Sequence, residues 1–74
     1  MSNKYPRIAG RMTDDAIALR RAVADLTNAI AVARKDGSDD ALHHRVWLLA
    51  GEVERLATCI RADAMSVIEA VPQA

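Results

Sequence analysis

Two apolar rows with heptad spacing, separated by a turn of two residues, govern what this chain can become. The first row is Met12, Ala16, Leu19, Val23, Leu26, Ile30 and Ala33, in alternating steps of four and three. The second is Leu42, Val46, Leu49, Val53, Leu56, Ile60, Asp63 and Val67, with Asp63 its one polar break. Such a period lines one face of an α-helix. Only Gly37 and Ser38 lie between the two helical patterns, and a connection that short forces neighbouring helices to run antiparallel. The predicted fold is therefore all-α, a two-helix antiparallel hairpin over residues 13–71.

Local signals set the predicted boundaries. Thr13 reads as an N-cap with Asp14 and Asp15 behind it, and Ser38 repeats the pattern with Asp39 and Asp40. A hydroxyl cap accepts from an orphan backbone N–H, and acids in the first turn suit the positive end of the helix dipole. Arg34 and Lys35 then fall in the last turn of the first helix, with Gly37 as its C-terminal cap. Pro72 ends the second. These signals predict a first helix over about residues 13–36, a turn at 37–38 and a second helix over about 39–70. At about 1.5 Å per residue the helices measure roughly 36 and 48 Å, so the second overhangs. Residues 1–12 are expected to form a basic arm that packs on this overhang, with Tyr5, Pro6, Ile8 and Met12 covering Met65, Val67 and Ile68. A carboxylate on a seam lies either at a frayed helix end or in a pair, and Arg7 and Arg11 in the arm are the candidate partners for Asp63.

A chain of 74 residues supplies a core worth only about 3–5 kcal/mol, so small folds need staples or oligomers. Cys59 is the only cysteine, which removes disulfides, and no Cys/His cluster has zinc-ligand spacing. Self-association remains. The second helix also carries more apolar surface than one neighbour can cover. A small-residue stripe of Ala50, Ala57 and Ala64 runs beside its seam. The expected assembly is a homodimer, a four-helix bundle of two hairpins. Leu19, Val23, Leu26, Ile30, Val46, Leu49, Ala50, Val53, Leu56, Ala57 and Ile60 are its expected interface.

Trp47 and Leu48 lie off the seam. Either they enter the dimer core, or Trp47 anchors a protein partner, since Trp is enriched among binding hot spots. The second reading adds His44, Gly51 and Arg55 as partner-binding residues. His43 and His44 point about 100° apart and cannot chelate one metal as an i, i+4 pair. No nucleophile–base pair or phosphate loop is evident, and neither catalysis, a cofactor nor a metal is expected. The chain is neutral overall, with Lys+Arg 10 and Asp+Glu 10, which argues against a nucleic-acid partner. No apolar run suits a signal peptide or a membrane span, so a cytoplasmic location is expected.

Three resemblances bear on function. Residues 19–30, Leu-Arg-Arg-Ala-Val-Ala-Asp-Leu-Thr-Asn-Ala-Ile, resemble the opening helix of all-helical chorismate mutases, which implies Arg20 as a carboxylate ligand. That family also needs further basic residues and a third helix, and helix 2 here has no lysine. Residues 54–60, Glu-Arg-Leu-Ala-Thr-Cys-Ile, resemble the second helix of the plasmid copy-number family of Rop, which implies a dimer of hairpins that binds paired RNA loops. Length, hairpin form and Trp47-Leu48 resemble small phage-encoded host inhibitors, such as the quorum-sensing anti-activators of Pseudomonas phages. Those are dimeric helical hairpins with an important Trp on the second helix. This likeness implies an inhibitor or adaptor that docks on a protein partner. An RNA- or DNA-binding regulator is the alternative.

Overall fold

In the computed structural model, which describes residues 5–37 and 39–70, two helices of equal length form an antiparallel hairpin. Helix α1 spans Tyr5–Lys35 and α2 spans Asp40–Ala70. No strand occurs among the described residues.

Helix α1 starts eight residues before the predicted cap at Thr13. Pro6 sits in its first turn, where a missing N–H costs nothing and the fixed φ suits a helix. Thr13 is then an interior residue: its hydroxyl donates to the Ala9 carbonyl at 2.9 Å, so it caps nothing. From Tyr5 onward the predicted arm is helix, and α2 has no overhang. Ile8 is buried and Met12 half-buried; of the three residues they were expected to cover, Val67 is half-buried and Met65 and Ile68 are exposed. Residues 1–4 and Ser38, the predicted second cap, lie outside the described residues.

Asp39 caps α2: its Oδ1 accepts from the Ala41 N–H at 2.9 Å, and its carbonyl accepts from Leu42 at 3.2 Å. The end of α1 is closed by the Asp36 N–H donating to the Val32 carbonyl at 3.1 Å. Gly37 was expected as a left-handed cap, but no described glycine has positive φ. The Gly37 carbonyl instead lies 3.1 Å from Nε2 of His43.

The face that α1 turns to α2 is rotated from the predicted row. Ile8, Ala22, Ala29 and Ala33 are buried, with Met12, Asp15, Leu19 and Leu26 half-buried between them. Ala16, Val23 and Ile30 of the predicted seam are exposed. Ala22, Ala29 and Ala33, in the half of this row nearer the turn, let the backbones approach closely there but contribute little area. Leu56, at 5% exposure, is the most covered of the buried side chains, and none is fully enclosed. Across the end far from the turn, the Arg11 guanidinium donates two hydrogen bonds to Asp63, at 2.8 and 3.0 Å. This pairing resolves the polar break in the second seam. It also holds the Arg11 pKa above its usual value, through the hydrogen bond first and the charge second. Asp63→Asn keeps the shape and removes the charge. A drop in thermal midpoint of a few degrees is expected, and Arg11→Gln added on top should bring little further loss.

The molecule is a rod, 58 × 16 × 15 Å, with a radius of gyration of 17.0 Å against about 11 Å for a compact domain of this length. Its surface of 6088 Å² compares with about 4,450 Å² for a typical folded monomer of 8.0 kDa. No described helix is long and apolar enough to cross a membrane.

Candidate protein-docking surface

The hairpin has two long flanks of different chemistry. One is the more polar: Asp14, Arg21, Asp25 and Glu52 line a shallow groove there with Ile17, Leu49 and Leu56, and Asp25, Asn28 and Arg45 line its continuation with Val32 and Leu42. The other is apolar. Ile30, Ala33 and Val46 form a groove near the turn, with Arg34 and His43 at its end. By the 100° step of a helix, the same flank continues along Val23 and Ala16 on α1, and along Ala50, Val53, Ala57 and Ala64 on α2. Along the middle of this flank the charged side chains, Arg20 on α1 and Glu54 and Arg61 on α2, fall at its rims.

The residues expected at a dimer interface divide accordingly. Leu19, Leu26, Leu49 and Leu56 turn toward the neighbouring helix of the same chain and hold the hairpin. Val46, Val53 and Ile60 are half-buried at the boundary. Val23, Ile30, Ala50 and Ala57 are exposed, with Val23 at 45% and Ile30 at 41%.

The residues expected to bind a partner do come together, on the face of α2 turned away from α1. Trp47, Leu48, Gly51 and Arg55 line one shallow depression with Ala50, Glu52 and Glu54. His44 stacks on Trp47, ring centroids 5.8 Å apart and planes 22° from parallel. Trp47 is 69% exposed and Leu48 is 54% exposed. Gly51 lies on the floor of this depression. A Cβ there would meet nothing within 4 Å, so Gly51 is an open floor rather than a contact forced by packing.

Arg55 donates to Glu52 at 3.2 and 2.5 Å, an i, i+3 pair at the rim. That hydrogen bond holds the Glu52 carboxyl below the usual carboxylate range. The lowered value means the pair contributes above the unfolded-state pKa, and the contribution fades as pH falls through the folded value. The melting difference between the protein and Glu52→Gln should therefore close as the pH drops below about 4. A difference that persisted at acid pH would mean that the pair is not its source.

Sequence reasoning missed Ile17 and Val32, both exposed on α1 away from the apolar flank. Their signal was available, as β-branched residues outside the heptad row. Cys59 is half-buried and free, and no described group of three His, Cys, Asp or Glu could hold a metal. No family model, curated protein or solved structure matches the chain.

Proposed function

We propose that this chain is a non-enzymatic binding module. Two hairpins pair through the apolar flank into a four-helix bundle, and the Trp47 face of α2 docks stoichiometrically on a protein partner in the cytoplasm. The observation that carries the docking role is the open Trp47–Leu48 pair beside the floor at Gly51. A large indole held at 69% exposure leaves apolar area in water. Interfaces place such aromatic anchors at their centre, ringed by polar groups. His44, Glu52 and Arg55 supply that ring here. The depressions among the described residues are shallow. The likeness to phage-encoded host inhibitors in length, hairpin form and Trp47-Leu48 supports an inhibitory or adaptor role.

A photo-crosslinking residue in place of Trp47 tests the docking role in native host cells. One discrete adduct with a second protein is expected, absent when the same residue replaces Lys35 near the turn. Adducts with nucleic acid alone, or the same adducts from both positions, would overturn the reading. Trp47→Ala should keep helicity and self-association while losing that partner.

A further inference from the structure

We infer that the second copy lies on the apolar flank with its turn at the same end, so that each α1 is covered by the other copy's α2. This rests on the dimer reading above and adds its orientation. The excess of surface over a compact monomer exceeds the roughly 800 Å² that each partner hides in a standard interface. A second copy is thus the occupant whose size fits a flank running the length of the rod.

Charge selects the orientation. Helix α1 carries six bases and three acids, and α2 carries three bases and five acids. A two-fold axis along the rod makes every neighbouring pair α1 with α2, opposite in net charge. An axis across the rod stacks α1 on α1 and α2 on α2, like upon like. Both arrangements keep neighbouring helices antiparallel, so helix dipoles do not decide.

The register sharpens the argument. Arg11 stands opposite Asp63, and Ile30 lines a groove with Val46, so Arg20 is level with Glu54. By the 100° step Arg20 falls at the rim of the flank, between Ala16 and Val23, where the flank meets an outer-face depression lined by Ile17, Arg21 and Ala24. Glu54 projects at the opposite rim, between Ala50 and Ala57. Within one hairpin they sit on opposite edges. In the same-end dimer each Arg20 meets Glu54 of the second copy, whereas the other axis brings the two Arg20 side chains together. Size agrees: the rim of α1 is small at Thr27 and Ala31, and the rim of α2 at that height is large at His43 and Trp47. Trp47 therefore sits at a seam where the second copy's α1 forms one wall of the docking surface, and the bundle presents two such surfaces near its turn end.

Spin labels on Lys35→Cys in a Cys59→Ala background read the orientation by dipolar distance. Labels at equal height should lie about 20–30 Å apart, from axis separations of 8–10 Å. Opposite ends would give about 45 Å, from about 1.5 Å of rise per residue. A distance near 45 Å in a particle of dimer mass would overturn the orientation and leave the dimer standing. A particle of monomer mass without dipolar coupling would overturn both. Arg20→Glu should weaken the dimer several-fold, and adding Glu54→Arg should restore it. Failure of that rescue would also count against this orientation.

Discussion

Val23→Glu is expected to abolish the dimer while sparing the contact between α1 and α2. Val23 lies on the apolar flank, where it is 45% exposed in the single hairpin, so a longer polar side chain there reaches water without disturbing the buried row. In a two-fold dimer the substitution enters twice, and each carboxylate loses water; the nearest base, Arg20 one turn away at the rim, is already set against Glu54 of the second copy. Such a buried, unpaired charge costs several kcal/mol. At 1.4 kcal/mol per factor of ten, the dissociation constant should rise by about a thousandfold or more. Sedimentation and thermal melting check this together: the mass halves at micromolar concentration and the cooperative melt is lost or falls sharply. Asn28→Glu, on the polar flank, is the control and should leave mass and melting unchanged. Equal effects from both substitutions would mean that the flanks do not differ in role.

Leu56→Ala is expected to give the largest loss among single truncations within the hairpin. Leu56 is the most covered of the buried side chains, at 5% exposure, and lines a groove with Ala18 and Ala22 of α1. Removing a buried leucine costs about 2–5 kcal/mol, because the transfer energy is lost and a cavity remains. A domain this small shifts by roughly 4–8 °C per kcal/mol, so the midpoint should fall by well over about 10 °C. Leu48→Ala, two helical turns earlier and 54% exposed, should move it only slightly. Thermal circular dichroism separates the two. Similar losses from both would place Leu48 in a core that the single hairpin does not show.

The comparison of expectation with structure turns on particular residues. Period and turn length were enough for the hairpin, since a seam in steps of three and four followed by Gly37-Ser38 has few other solutions. The rotation of α1 was not legible. Its apolar stripe is wide, with Met12, Leu19, Leu26 and Ala33 flanked by Ala22 and Ala29 on one side and by Ala16, Val23 and Ile30 on the other. Hydrophobicity favours the larger row, but close packing of two backbones favours the alanines, and the larger row is left facing outward. The helix start was misread for a related reason. Thr13-Asp14-Asp15 is a good capping sequence, but a threonine hydroxyl can return its hydrogen bond to the carbonyl four residues back, and Pro6 is an equally good start. Nothing in the local sequence ranks the two. The Arg11–Asp63 pair was legible as one of two outcomes for a carboxylate on a seam, the other being a frayed end, and the choice of Arg11 over Arg7 needed the structure. The grouping of His44, Trp47, Leu48, Gly51 and Arg55 followed from helical spacing alone, whereas the stacking of His44 on Trp47 needed the side-chain geometry.

The rod shape, the alanine-lined contact and the outward Val23–Ile30 row all lead to one physical claim: this hairpin needs a second copy on its apolar flank. Sedimentation equilibrium at low micromolar concentration tests that most directly. The account predicts twice the 8.0 kDa chain mass, with a melting midpoint that rises with concentration. A compact particle of single-chain mass, melting cooperatively at a temperature independent of concentration, would contradict it.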